Sequence, residues 1–362
     1  MAGELAAAVR GLDATDQRLV DRTLCEVDGT DNLQRLGANA VLAVSLATML
    51  AAADGRREPL YRHLAVGPPE LPMPMVNIIS GGAHADDAID IQDVLVVPIG
   101  ATRFSEALEW SHRVRARTAE LAIEQGMAAS LVADEGGLGL PLRTNEEALE
   151  LVCAGIERAG LRLGEQAVLA IDVAANSFHD GRCYRLATEQ RELSSSAWIA
   201  ELCDWIERYP VASIEDPVVE DDWDAWSQIT ARLGDRLQIL GDDLFVTDRA
   251  RLEHGVEARA GNAVLLKPNQ TGTLSRTHDT LRTAVDAGFG TVLSARSGDT
   301  EDNWLADVAV AWRTGQIKVG STTRSERTAK WNRLLQIEAE LGNDATLARP
   351  LRAGTWPTIS SR

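Results

Sequence analysis

Four ionisable residues between positions 172 and 267 of this sequence each close a short apolar run. Leu169-Ala170-Ile171 ends at Asp172, Ala212-Ser213-Ile214 at Glu215, Gln238-Ile239-Leu240-Gly241 at Asp242, and Val264-Leu265-Leu266 at Lys267. Three carboxylates brought to one place repel one another unless a cation lies between them. Their hard oxygens, completed by water, suit Mg²⁺ better than Zn²⁺, whose sites favour histidine and cysteine. The competing reading pairs each acid with an arginine at its strand end. A lysine beside a cation has its ammonium form disfavoured, and burial acts in the same direction. Lys267 is therefore a candidate general base; the plainer alternative is an ion pair with one of the neighbouring acids.

Other residues extend this set. Lys318 ends the run Gln316-Ile317-Lys318 and could face an anionic substrate. Arg296-Ser297-Gly298 offers a guanidinium, a hydroxyl and open backbone amides, a combination suited to phosphate, although the same tripeptide also makes an ordinary turn. Glu135 precedes Gly136-Gly137 in a loop, and a carboxyl near other acids can be held protonated as a general acid. His84 lies in the glycine-bounded stretch Ser80-Gly81-Gly82-Ala83-His84-Ala85-Asp86, as a substrate contact or a structural histidine. A metal, a lysine base, a carboxyl acid and an anion clamp are the equipment for removing a proton α to a carboxylate and expelling a β-hydroxyl.

The elements that must carry these residues are strands and helices in alternation. The four charges are spaced 43, 27 and 25 apart by subtraction. The last two spacings fit one strand, one helix and two loops. Runs without alternation read as parallel strands buried on both faces, and α/β folds place their chemistry at the carboxyl ends of such strands. Upstream, strands at 75–79 and 93–98 precede helices at about 104–125 and 145–158, an irregular ββαα opening. Six βα units follow, the last two strands being 291–294 and 316–320. Eight strands close a barrel. The fold class is thus α/β, a ββαα(βα)₆ barrel; an open doubly wound sheet is the alternative, and no glycine fingerprint marks one.

Before the barrel, residues 3–26 read as helical, Asp28-Gly29-Thr30 as a turn, and 38–53 as a buried Ala-rich helix, shorter than the roughly 20 apolar residues of a membrane span. Pro68, Pro69, Pro72 and Pro74 suggest an extended linker. The predicted division is a helical remnant of a capping domain over 1–67, a catalytic barrel over 68–342, and a surface tail over 343–362. The opening residues lack the basic and apolar regions of a signal peptide. The net charge of −18 argues against nucleic acid or an anionic membrane as partner. Cys25, Cys153, Cys183 and Cys203 have no metal-type spacing and read as reduced, buried residues of a cytoplasmic protein.

The ordered motifs resemble the enolase family over roughly residues 12–341. They are Asp28-Gly29-Thr30 with Gly37-Ala38-Asn39-Ala40, the glycine-bounded stretch around His84, Asp134-Glu135-Gly136-Gly137, Ser213-Ile214-Glu215-Asp216, Gly241-Asp242-Asp243-Leu244, Leu266-Lys267-Pro268-Asn269-Gln270, Ser297-Gly298-Asp299-Thr300-Glu301-Asp302 and Gly315-Gln316-Ile317-Lys318. The resemblance implies Mg²⁺ on Asp172, Glu215 and Asp242, Lys267 as base at C2, and Glu135 assisting departure of the C3 hydroxyl. It implies Lys318 at the substrate carboxylate, Arg296 and Ser297 at the phosphate, and His84 and Gln92 nearby. The implied reaction is dehydration of 2-phosphoglycerate to phosphoenolpyruvate, by a homodimer.

Three departures accompany the resemblance. The family's opening β-meander, with the mobile serine loop that closes over substrate, has no counterpart here. Asp93 stands where the family has a glutamate supporting the acid, and Ala295 where it has a histidine. A specialised relative forming carboxyphosphonoenolpyruvate from a substrate with a larger acidic head is a second reading. A third is an inactive relative kept for binding, or an incomplete chain.

Overall fold

The computed structural model describes residues 3–351. Helices α1 (Glu4–Val9), α2 (Gln17–Asp28), α3 (Ala38–Arg56) and α4 (Leu60–His63) come first. The helical stretch expected over 3–26 is broken between α1 and α2, where Gly11 takes φ +86° and Asp16 caps α2 by accepting from the Leu19 amide. Asp28 is buried and accepts the amides of Thr30 and Leu36 at 3.2 and 2.7 Å. Asp28-Gly29-Thr30 is therefore a helix stop, with Gly29 in the left-handed conformation.

Among the described residues, α3 is the one helix long and apolar enough to cross a membrane. Its Val41 packs with Leu5, Val20, Leu24 and Leu33, while Met49 and Ala53 join the main core. Leu50 on the same helix is exposed, so α3 is half-buried rather than fully buried. Helices α2 and α3 make polar contacts with the barrel, and Leu60 and Tyr61 of α4 join its main apolar core. Asp21 accepts the Ser275 amide at 2.9 Å, Ser45 accepts that of Leu274 at 3.2 Å, and Arg18 pairs with Asp279 at 2.7 Å.

The barrel begins with β1 (Met73–Ser80) and β2 (Asp93–Val97), then α5 (Phe104–Glu124), the two-residue β3 (Leu138–Gly139) and α6 (Asn145–Arg158). After β4 (Val168–Asp172), the small hairpin of β5 (Tyr184–Leu186) and β6 (Arg191–Leu193) precedes α7 (Ser195–Arg208). There follow β7 (Val211–Glu215), α8 (Trp223–Leu233), β8 (Gln238–Gly241), α9 (Arg249–Ala258), β9 (Ala263–Leu266), the short α10 (Pro268–Thr271) and α11 (Leu274–Asp286). Last come β10 (Gly290–Ser294), α12 (Trp304–Trp312), β11 (Gln316–Gly320) and α13 (Ser325–Leu341).

Strands β11-β10-β9-β8-β7-β4-β2-β1 are hydrogen-bonded in that order, and β1 pairs with β11 to close the ring. Only β2 runs antiparallel to its barrel neighbours. This is the ββαα(βα)₆ barrel. The hairpin, which apolar runs alone did not reveal, lengthens the β4-to-β7 connection and accounts for the spacing of 43. Tyr184 of the hairpin packs on Trp198 of α7, ring centroids 5.8 Å apart.

Side-chain alternation divides the core into two layers. Met73, Met75, Leu95, Val97, Val168, Ala170 and Leu265 belong to an inner apolar cluster, whereas Leu169, Ile171, Ile214, Ile239 and Leu266 join the outer cluster under the helices. The Pro-rich passage is shorter than a linker over 68–74, since Pro74 already lies in β1. The expected surface tail is tied down over its first residues. Leu71 donates to the Thr346 carbonyl and accepts from the Ala348 amide, both at 2.8 Å, and Ala348 is buried. Its remainder, 352–362, lies outside the described residues. All four cysteines are free. Only Cys153 is buried, which pushes its thiol up to about 12; Cys25, Cys183 and Cys203 are partly exposed, contrary to expectation.

Candidate active site

Strand register gathers the candidate residues at one mouth of the barrel. Asp93 on β2 partners Asp172 on β4, which partners Glu215 on β7, and Ser294 on β10 partners Lys318 on β11. Asp93 stands two residues from Leu95, Asp172 two from Ala170 and Lys267 two from Leu265. All three reference residues face the inner cluster, so these polar side chains rise from inside the barrel.

Two lysines hold the acids. Lys318 Nζ donates to Asp172 at 2.6 Å and to Glu215 at 2.8 Å, and Gln92 Nε2 adds a bond to Asp172 at 3.0 Å. Lys267 Nζ donates to Asp242, whose other oxygen accepts from Gln270 at 3.3 Å. The competing reading of arginines at the strand ends is replaced by lysines. Burial and the Asp172 carboxylate push Glu215 well above the ordinary range. Burial also acts to raise Asp172, yet the Lys318 ammonium holds it low. For Lys267 burial favours the amine, but Asp242 and Glu215 outweigh it and keep the ammonium above its ordinary value. The disfavoured ammonium expected above applies to a lysine beside a bound cation, whereas the protein groups that face Lys267 are carboxylates.

The three acids expected to hold Mg²⁺ therefore gather around two ammonium groups. The compact oxygen cluster is a related one. Asp216, Asp242 and Asp243 offer oxygens within 4.8 Å of one another. Asp216, at φ +41°, accepts the amides of Asp242 and Asp243 at 3.0 and 2.8 Å and so shapes the turn after β8. Burial and the Asp242 charge push Asp216 well up. Glu215 Oε1 is buried without a hydrogen-bond partner. An oxygen-only donor set with one unsatisfied buried carboxylate oxygen fits a hard divalent cation such as Mg²⁺.

Glu135 approaches from the loop after α5, and that loop is pinned to the loop after β11. The Glu135 carbonyl accepts the Ser321 amide at 2.8 Å, and the Gly136 carbonyl accepts from Thr323 Oγ1 at 2.7 Å. Gly136 takes φ +87°, and a Cβ there would stand 2.7 Å from the Thr323 carbonyl oxygen, so the close approach requires glycine. The Glu135 carboxyl accepts from Asn77 at 3.3 Å and from Ser297 at 3.2 Å. Burial and the Asp93 charge raise its pKa, against the pull of His84 and Lys318. His84 Nδ1 lies 3.0 Å from Asp93, its Nε2 2.9 Å from Ser297 Oγ, and Ser80 donates to Asp93 at 2.7 Å.

These groups open on one cleft of about 390 Å³, which Lys267, Lys318, Glu135, His84, Arg296 and Ser297 all line. Asp172 and Asp242 line it too; Glu215 is buried and meets it through Lys318. Arg296 is exposed, with Nη1 3.3 Å from Asn269 Oδ1. Ser294, Ala295 and Arg296 also wall a second cleft of about 290 Å³, which extends to Leu42 and Leu46 of α3 and to Trp304.

Several polar neighbours escaped the reading of strand ends. Asn77 lies two residues past the inward Met75, so alternation could have found it. Asn176, which donates to Asp243 at 2.9 Å, lies in the single 3₁₀ turn Ala175–Phe178, too short to show a period. Asp216, Asp243 and Gln270 sit inside motifs noted above but had been given no role.

Comparison with known families agrees with the geometry. The family described as Enolase, C-terminal TIM barrel domain, matches residues 69–351, and that described as Enolase, N-terminal domain, matches residues 1–64. With the barrel family covering well over half of its length, this chain belongs to the enolase family.

Proposed function

We propose that the chain is a Mg²⁺-dependent lyase that dehydrates 2-phosphoglycerate to phosphoenolpyruvate. The observation that carries this reading is the pairing of Lys267 and raised-pKa Glu135 on one cleft. Lys267 removes the C2 proton, Glu135 supplies a proton to the C3 hydroxyl, and water leaves as the C2–C3 double bond forms. Asp172, Glu215 and Asp242 would hold Mg²⁺, with Asp216 and Asp243 beside them. Bound there, Mg²⁺ supplies positive charge for the substrate carboxylate and neutralises the acids that otherwise favour the Lys267 ammonium. Lys318 orients the carboxylate end, while Arg296 and Ser297 take the phosphate.

The second cleft beyond Ala295 favours an alternative substrate, a phosphonate analogue with a larger acidic head, whose extension would pass the small Ala295 side chain. An absorbance assay for enol formation with Mg²⁺ and either 2-phosphoglycerate or its phosphonoformyl analogue separates the two. Turnover of the first supports the dehydration proposed. Turnover of the analogue alone moves the assignment to the alternative, and turnover of neither defeats both.

A further inference from the structure

Helix α13 carries two buried cations that the proposed reaction does not use. Arg327 is fully buried and Lys330 is 1% exposed. A buried guanidinium is tolerated only when its donors are satisfied. Arg327 Nη1 donates to the Arg296 carbonyl at 2.9 Å and to the Val319 carbonyl at 3.0 Å, and Nη2 donates to the Ser297 carbonyl at 2.6 Å. The Glu326 carboxylate is 3.5 Å from Nε and is shared with Arg324. Lys330, one turn further along α13, donates to the Thr300 carbonyl and lies 3.5 Å from Asp299. Three carbonyls between 296 and 300 are thus fastened to one helix.

The space for Arg327 depends on Gly320. A Cβ at that residue, which takes φ +115°, would stand 2.8 Å from Arg327 Cδ and 2.6 Å from the Glu135 carbonyl oxygen. The guanidinium therefore packs against the glycine on which Glu135 also rests, while gripping the two residues whose side chains line the anion end of the cleft.

We infer that Arg327 is a positioning residue: by fixing the carbonyls of Arg296 and Ser297 it sets where their side chains stand for an incoming phosphate, with Lys330 securing the far side of the same loop. Planarity matters to this role. A guanidinium is a rigid fork that can hold three carbonyls at once, whereas an ammonium at the same place is a point charge on a flexible stem. Displacing a binding group by about 1 Å is enough to weaken it substantially.

The inference rests on the reading that Arg296 and Ser297 take phosphate, but its test needs no turnover. Thermal melts against inorganic phosphate, at constant ionic strength, give a half-saturating concentration for the native chain, R327K, R327M and L334A. Leu334 is buried on the same helix and serves as a control for lost stability. R327M should raise the half-saturating phosphate concentration roughly tenfold and R327K about threefold, the scale of one lost charge-assisted hydrogen bond. L334A should melt earlier with native phosphate affinity. The inference is overturned by native affinity in R327M, by equal weakening in L334A, or by a native chain that phosphate does not stabilise. If R327M does not fold, native affinity in R327K overturns it. An absence of 2-phosphoglycerate turnover would defeat the dehydratase reading and leave this measurement standing.

Discussion

Ser297 donates its hydroxyl to Glu135 across 3.2 Å, joining residues 162 positions apart in the chain. That bond fixes the protons around it. With the Ser297 proton turned to Glu135, His84 Nε2 must donate to Ser297 Oγ at 2.9 Å. His84 Nδ1 faces the Asp93 carboxylate at 3.0 Å and donates as well. The ring then carries both protons. An imidazolium between Asp93 and Glu135 links the two carboxyls through one serine.

The charge on His84 predicts a pH dependence of stability. Burial opposes it, but the Asp93 charge and hydrogen bond, with Glu135, raise the pKa to about 9. A histidine raised above 6.5 contributes stability that is complete below 6.5 and lost as pH rises through about 9. The difference in unfolding free energy between the native chain and His84→Gln should therefore be largest near pH 6 and shrink towards pH 9.5. Urea unfolding at several pH values checks this, and a constant difference would mean a neutral ring.

The assignment of acid and base predicts a split between two reactions. Glu135→Gln should lower dehydration of 2-phosphoglycerate by roughly 10²–10⁴-fold, the usual worth of a positioned acid, while C2 hydrogen still exchanges with solvent. Lys267→Ala should lose both. Deuterium incorporation at C2, followed by nuclear magnetic resonance beside the absorbance assay, distinguishes them. Exchange at the native rate in Lys267→Ala would remove that lysine from the role.

Much of this arrangement was legible because strands and chemistry share a rule. A strand buried on both faces is an apolar run, and the first polar residue at its carboxyl end reaches the barrel mouth, so Asp172, Glu215, Asp242 and Lys267 could be read directly. What lay hidden was pairing across the barrel. Nothing local to Lys318 says that it bridges Asp172 and Glu215, and nothing local to Arg327 says that it grips carbonyls 31 and 30 residues away. The β5–β6 hairpin was missed because its strands are three residues each and mix polar with apolar residues, too short to show a period. The carboxylates Asp242 and Glu215 favour the Lys267 ammonium, and a cation bound among them would act the other way.

Lys318 predicts the largest effect on stability. Its ammonium is buried between Asp172 and Glu215. Replacing it with methionine keeps the bulk and leaves two buried acids facing one another. Breaking a buried pair in this way costs about 3–5 kcal/mol. Urea unfolding of Lys318→Met at neutral pH should show a loss of that size, and a loss below about 1 kcal/mol would mean that the pair behaves as if exposed.

The acids predict stabilisation by metal. A cation that binds only the folded chain adds about 2.7 kcal/mol at a hundred times its Kd. Melts of the native chain should rise with Mg²⁺, and those of Asp242→Ala should not. Identical responses in the two would place the cation elsewhere.

Ala295 predicts which substrate is favoured. It is buried, and it stands on the wall shared by the two clefts, between Ser294 and the Arg296 side chain. A histidine there would fill space at that junction and place an imidazole beside the phosphate end. If the substrate is 2-phosphoglycerate, Ala295→His should leave its KM within about threefold or improve it, since one added hydrogen bond contributes about 1 kcal/mol. If the substrate carries a larger acidic head through the junction, the same change should raise its KM at least about tenfold, because overpacking costs about 1–3 kcal/mol. Steady-state kinetics of Ala295→His with both compounds checks this. A loss confined to the analogue would mark Ala295 as a determinant of specificity, and equal effects on both would show that the second cleft plays no part in choosing the substrate.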